Sequence, residues 1–377
     1  MKKLTSILGL CMTLVFSNAC IAAEASSPPS WLDKLLETFG ASDSLSQEKG
    51  IDWGVLPGPF VNPKQGFGLG VAAIGLYSPA GRQADTQISS VSIKSYVSTS
   101  GSYGLGVENR TYFSDDSIRL SVDGWISHAP SDYWGIGRSA AEQQQNKSEV
   151  ESQILQLSPK ISYRLLTHTY ATLGWDFQSY SNIHTTGSAL TPAQTQDAHT
   201  SGVSLGLAYD SRDFALNAYS GILLSAVYES YNAALGSDHS YDSLILNYRQ
   251  YSALSKNLVL AWELYGQGLS GDVPWFAMSQ IGIDGRMRGY YQGQYRDKYQ
   301  LSGQIELRQH LAGRHGLVYW LGGGNVASER QQLFNQAWLP TIGIGYRLAF
   351  KPRVNIRFDF GVGKDTTGFY FQINEAF

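Results

Sequence analysis

The chain has 377 residues, enough for two or three ordinary domains or for one large closed sheet. It carries 40 Gly, 23 Tyr, 15 Phe and 9 Trp, while charged residues make up only 16% and the net charge is −3. That balance offers no basic patch for nucleic acid, and a mean hydropathy of −0.19 excludes a bundle of transmembrane helices.

At the start, Lys2 and Lys3 precede an apolar run from Ile7 to Phe16, and small residues follow at Ala19, Ala22, Ala23 and Ala25. This is the order of a secretory signal peptide, cleaved after Ala23 or Ala25. A lipid anchor on Cys20 is a competing reading, but Ser17-Asn18-Ala19 lacks the usual Leu. Both cysteines, Cys11 and Cys20, fall in this leader. The exported chain is therefore expected to have no thiol, no disulfide and no Cys-bound metal. The predicted division is a signal peptide over 1–23, an N-terminal periplasmic segment over 24–50 and a barrel over 51–377.

Ser30-Trp31-Leu32-Asp33 resembles a capping box. Trp31, Leu32, Leu35, Leu36 and Phe39 fall on one helical face and Gly40 can end it, so a short amphipathic helix is predicted at about 30–39. It can lie on the membrane surface, plug the barrel or pack on its rim.

From Gly66 onward the hydrophobic period becomes two. Leu155, Leu157, Ile161, Tyr163 and Leu165 alternate with Gln156, Ser158, Lys160, Ser162 and Arg164. Val354, Ile356, Phe358 and Phe360 alternate with Asn355, Arg357 and Asp359. The second face is polar or charged in strand after strand, in segments about ten residues long, the length that crosses a bilayer at a tilt. Hydrocarbon cannot satisfy an open edge, so the sheet must close, apolar outside and polar inside. Fifteen strands are predicted, near 66–77, 86–99, 103–114, 117–128, 151–166, 168–181, 201–211, 219–232, 241–255, 257–268, 299–312, 316–327, 338–350, 353–362 and 367–377. Single-chain bacterial barrels have even strand numbers. The sixteenth is assigned to 52–62, where Pro57 and Pro59 suit an edge strand. The fold class is thus all-β, a transmembrane antiparallel β-barrel of about 16 strands with a short N-terminal amphipathic helix. The longest connection, 269–298, is rich in Gly, Arg and aromatics, the composition of an ordered loop.

Within that loop, Gly285-Arg286-Met287-Arg288-Gly289-Tyr290-Tyr291 resembles the sixth-loop Arg-Gly-aromatic motif of the BamA/TamA family, also called bacterial surface antigens. Tyr209-Asp210-Ser211-Arg212-Asp213 resembles that family's Asp-x-Arg-Asp turn, carried by Asp210, Arg212 and Asp213. Gln304-Ile305-Glu306-Leu307-Arg308 resembles the strand after the loop, and Asn355 through Phe377 resembles the closing strands. The resemblance covers roughly residues 60–377. It implies a sixteen-stranded barrel with the long loop folded inside, its Arg288 meeting acids on the inner wall, Gly289 allowing close approach and Tyr290 packing on the wall. Parity independently turns Glu306 into the lumen, where it can take a bidentate bond from Arg288. Two departures follow. The family's Asp on the next strand is matched by glycine in Trp320-Leu321-Gly322-Gly323-Gly324, so the bond rests on Glu306 alone or on another acid such as Glu263; the glycines can make room for the loop. The residues between leader and barrel are too few for a POTRA-type domain, which typical members carry.

Phe369, Phe371, Ile373 and Phe377 alternate on one face, resembling the C-terminal signal by which assembly machinery recognises outer-membrane barrels; Glu375 interrupts the stripe. His310, expected in the lumen beside Arg308, has no Ser or Asp partner placed by spacing, so no catalytic residue, cofactor or metal is assigned. Arg286, Arg288 and Arg296 can anchor the loop or meet lipopolysaccharide phosphates. The expected function is to aid insertion or transport of protein or lipid across the outer membrane, with the loop locked by Arg288. The alternative is a passive pore or structural surface protein. Expected partners are outer-membrane lipids and lipopolysaccharide, the outer-membrane assembly machinery during biogenesis, and a second copy in a homo-oligomer, with no nucleic acid.

Overall fold

The computed structural model describes residues 31–42, 44, 50–62, 66–79, 86–282 and 285–377. The signal-peptide reading and the Ser30 cap lie outside them. The chain divides into a unit ending at Thr38 and a second from Phe39 to Phe377. In the first, helix α1 spans Trp31–Thr38. Asp33 sits in its first turn, where a carboxylate suits the helix's positive end, and Thr38 Oγ1 donates to Lys34 O at 2.9 Å.

The second unit is one sixteen-stranded sheet in which each strand pairs antiparallel with its sequence neighbours. Its strands are β1 (Asp52–Asn62), β2 (Gly66–Tyr77), β3 (Ser89–Ser98), β4 (Tyr103–Tyr112), β5 (Ile118–Tyr133), β6 (Ser148–Leu166), β7 (Thr169–Thr185) and β8 (Ala198–Asp210). They continue with β9 (Gly221–Tyr231), β10 (Tyr241–Ser255), β11 (Leu258–Gly271), β12 (Tyr299–His310), β13 (His315–Ala327), β14 (Leu339–Lys351), β15 (Val354–Gly363) and β16 (Thr366–Ile373). The strand predicted at 52–62 is present with those limits. The last strand ends at Ile373, short of the predicted 377. Asn374 takes a positive φ of 73°, which ends the extended backbone.

Alternation decides which face meets lipid. Leu69, Leu105, Leu157, Leu205, Leu246, Leu264, Ile305, Leu321, Ile342 and Phe360 are all exposed on the outer face. Their neighbours in the chain, such as Ser204, Glu263, Gln304, Glu306 and Asp359, are buried inside. In a water-soluble fold this arrangement would be inverted; in a bilayer it is what closure demands.

The two ends of the barrel differ. At one end the turns are tight: Thr167–His168 joins β6 to β7, and Pro352–Arg353 joins β14 to β15, with Arg353 at φ 64°. At the other end β5, β6 and β7 run to 16, 19 and 17 residues, longer than a bilayer crossing needs. Their overhang holds a buried apolar cluster of Tyr133, Val150, Ile183 and Leu190 with Trp275 and Phe276 from the β11–β12 loop. A second cluster joins Ile281, Met287, Tyr290 and Tyr295 of that loop to Ala141, Val326 and Leu339. Much of the buried apolar packing therefore lies between this loop and the wall.

The sheet has one weak junction. Among the described residues, β1 makes ladder pairs with β2 and none with β16. Val55 N–H points to the free edge, where it donates to Phe39 O at 2.8 Å. Pro57 and Pro59 share that parity and have no N–H to offer there.

Candidate functional site

The β11–β12 loop packs against polar-face residues of β12, β14 and β15. A two-residue ribbon pairs Ser279–Gln280 with Arg296–Asp297 and ties its two arms together. Arg296 is buried and, among the described residues, forms no ion pair with a carboxylate. Its Nε donates to Gly293 O at 2.8 Å, and its guanidinium lies over Tyr133 at 4.8 Å. Burial pushes the Arg296 guanidinium below its ordinary value, which the nearby tyrosines only partly offset.

Below the ribbon, Tyr290 Oη donates to Pro340 O at 2.7 Å and accepts from Lys364 N at 2.8 Å. Gly289 has φ +107° and presses on β15, where a Cβ would come 2.7 Å from Val362 C. Gly361, on the same strand, is its counterpart, since a Cβ there would stand 2.8 Å from Arg288 C. Two facing glycines let the loop backbone lie directly on the wall.

At the tip, Arg288 is fully buried and bridges two fully buried acids on strands three places apart in the sheet. Nη2 donates to Glu306 Oε1 on β12, and Nη1 donates to Asp359 Oδ2 on β15 at 2.6 Å. Its guanidinium stacks 3.7 Å above the Trp320 ring on β13. Further arginines share the same acids. Arg308 Nε donates to Glu306 Oε2 at 2.9 Å, Arg347 Nη1 to Asp359 Oδ1 at 2.5 Å and Arg357 Nη1 to Asp359 Oδ2 at 3.3 Å. Arg286, lower in the loop, lies 3.8 Å over Tyr265 and 3.6 Å from Glu263, whose closer partner is Arg249 at 2.8 Å.

The tight-turn end is crossed by the β8–β9 turn. Asp210 accepts from Arg119 and Arg212 at 2.7 and 2.8 Å. Asp213 accepts from Arg353 of the β14–β15 turn. Gln87, ahead of β3, donates to Arg212 O at 2.7 Å and accepts from Ala215 N at 3.0 Å. The turn thereby ties together three separate parts of the rim.

Residues 87–377 match the model of the Omp85 superfamily domain. The chain belongs to the Omp85 superfamily. Among solved structures, it is similar to BamA from Haemophilus ducreyi lacking POTRA domains 1–3, at 12% identity and a TM-score of 0.51, covering 90% of this chain and 76% of that one. It is also similar to CdiB from Escherichia coli, at 11% identity and a TM-score of 0.59, covering 88% of this chain and 64% of that one. CdiB from Acinetobacter baumannii gives 14%, 0.53, 85% and 59% in the same order. A search of curated proteins returned no match. As an Omp85 member, the chain is an outer-membrane β-barrel of the assembly and transport superfamily.

In this Omp85 barrel the expected site residues fall into three places. Arg288, Gly289, Tyr290 and Glu306 converge in the bore, joined by Asp359, which was not singled out as a partner. Glu263 is a neighbour of Arg286 rather than the second acid for Arg288. Of the strand glycines, Gly324 makes room for the loop, with Met287 Sδ 3.1 Å from where its Cβ would stand. Gly322 and Gly323 face wall atoms instead. Asp210, Arg212 and Asp213 form the turn cluster at the rim. Of the stripe Phe369, Phe371, Ile373 and Phe377, the first three share one face of β16, with Ile373 covered, whereas Phe377 lies beyond the strand and packs on Tyr251, Ala261 and Ala218. His310 is the last residue of β12 and is exposed there, two positions beyond Arg308.

Proposed function

We propose that this Omp85 barrel aids insertion or transport of protein or lipid across the outer membrane, and that Arg288 locks the loop which keeps its bore closed. The observation that carries the reading is one buried guanidinium shared by Glu306 and Asp359 from opposite sides of the loop tip. A cation held this way is costly to strand, so the docked and released loop form two distinct states. The weak β1 edge supplies the other requirement, a line along which the wall can part without breaking a full ladder. The reaction is non-enzymatic: what changes is the position of a loop and a seam.

A passive pore is the competing reading, and the packed loop favours a closed barrel over an open one. Planar-bilayer recording separates them. The native protein should be largely silent and Arg288→Ala should show large openings. Large steady openings in the native protein would refute the lock. Client insertion and lipid transfer by the reconstituted protein test the cargo.

A further inference from the structure

After β16 the chain does not continue along the wall. Asn374–Phe377 turns inward and is held by side chains from several strands. Glu375 is buried, accepting from Arg347 Nε at 2.7 Å and from Asn355 Nδ2 at 2.7 Å. Phe377 is buried against Tyr251, Ala261 and Ala218, the last belonging to the β8–β9 turn. Its ring lies 5.1 Å from the Arg308 guanidinium and 5.9 Å from that of Arg249. Arg308 Nη2 donates to Phe377 O at 2.8 Å. Gly285, just before the loop tip, lies against Ala376 O with no room for a Cβ.

These contacts join the tail to the loop by two short chains of charge. In one, Arg288 meets Glu306, Glu306 holds Arg308, and Arg308 holds the Phe377 carbonyl. In the other, Arg288 meets Asp359, Asp359 holds Arg347, and Arg347 holds Glu375. Each acid has one oxygen for the loop's arginine and one for a tail-holding arginine. Removing either neighbour changes the charge balance and the aim of the shared carboxylate in a buried, poorly screened place.

We propose that the tail Asn374–Phe377 is a lumenal latch whose docking is coupled, through Glu306–Arg308 and Asp359–Arg347, to docking of the loop. Release of the loop loosens the tail, and release of the tail loosens the loop, by the same factor. The latch links the loop to β16 itself, the strand that borders the weak seam. The proposal rests on the reading of Arg288 as the loop's anchor.

Two single-cysteine reporters test it in detergent-folded full-length protein. Ser279→Cys reports the loop, from a position now 2% exposed, and Ala376→Cys reports the tail. Labelling by a water-soluble maleimide is measured in each, with folding checked by heat-dependent gel migration. In the Arg288→Ala background both reporters should label faster, by roughly tenfold, as for moderately coupled sites. Reciprocally, Phe377→Ala should speed labelling at Ser279→Cys. If Arg288→Ala exposes the loop reporter and leaves the tail reporter unchanged, the coupling is overturned and the lock stands. If it exposes neither, the lock reading fails and takes the coupling with it. If Phe377→Ala frees the tail and leaves the loop reporter protected, the coupling is likewise overturned.

Discussion

Glu306→Gln should loosen the docked loop more than Arg288→Ala does, even though Arg288 is the residue the loop contributes. The reason is a charge count. Four buried guanidiniums (Arg288, Arg308, Arg347, Arg357) face three buried side-chain carboxylates (Glu306, Asp359, Glu375). Arg288→Ala leaves three of each, and both of its acids keep an arginine, Arg308 at 2.9 Å and Arg347 at 2.5 Å. The loss is then two charge-assisted hydrogen bonds, about 3 kcal/mol at ~1.5 per bond, to which the stack on Trp320 adds about 0.5 kcal/mol or more. Glu306→Gln leaves four guanidiniums against two carboxylates and strips the charge from between Arg288 and Arg308. Stranding a buried charge costs about 3–5 kcal/mol; with two arginines affected, the upper part of that range applies. A difference of about 1.4 kcal/mol is tenfold in the released population. The assay is maleimide labelling of Ser279→Cys in each background, normalised to the folded fraction. Glu306→Gln should label about tenfold faster than Arg288→Ala. Equal rates, or the reverse order, would show that the four-to-three count does not govern the loop.

At the rim, Asp210→Asn should lower unfolding stability by about 3 kcal/mol, because a buried carboxylate shared by Arg119 and Arg212 is neutralised. Asp213→Asn, whose partner Arg353 is partly solvated, should cost under about 1 kcal/mol; denaturant midpoints in detergent compare them, and similar costs would contradict the assignment. The tail should respond to acid. Burial opposes ionisation of Glu375, but the Arg347 and Arg308 guanidiniums outweigh it and hold the carboxyl below the usual glutamate range. A depressed carboxylate stabilises docking fully above the unfolded value, about 4.3, and the contribution is lost as pH falls through the lower folded value. A fluorophore on Ala376→Cys should therefore become open to iodide quenching only at acid pH. Glu375→Gln should abolish that transition, and its persistence there would assign the titration to another group.

Much of the barrel was legible because a strand's side chains alternate whatever surrounds them. That alternation turned Glu306 inward from parity alone, while β1 was placed by the even strand number of such barrels and by prolines that suit an edge. Strand ends were harder. β6 and β7 were expected over 151–166 and 168–181 but run over Ser148–Leu166 and Thr169–Thr185. Their extensions pack on Trp275 and Phe276, and no local period distinguishes a strand end in the bilayer from one packed on a loop. Asp359 was visible as a polar-face residue between Phe358 and Phe360. Its pairing with Arg288 depends on the loop tip crossing to β15, which no single strand encodes. In the tail, Glu375 interrupts the apolar stripe. The structure gives the physical reason: it faces Arg347 inside the bore, and the stripe had already ended at Asn374.

The seam follows from main-chain chemistry more than from any side-chain contact. A strand offers its N–H groups alternately to its two sides. On β1 the N–H groups facing away from β2 run through Val55, whose N–H is engaged by Phe39 O, to Pro57 and Pro59, which have none. A partner strand could therefore find almost no donors over the middle of this edge. Across from it, the Phe371 ring of β16 closes on Gly58, 3.1 Å from where a Cβ would stand, so the gap is filled by an aromatic side chain in place of a ladder. Lower down, Lys351 Nζ donates to Asp52 Oδ1 at 2.7 Å, fastening the base of β1 to the end of β14. The junction is thus pinned at its foot by an ion pair and packed above by the Phe371 ring, with no ladder among the described residues. Such a boundary can part in lipid at the cost of apolar contacts that lipid itself can replace, whereas every other strand pair would have to give up a row of hydrogen bonds.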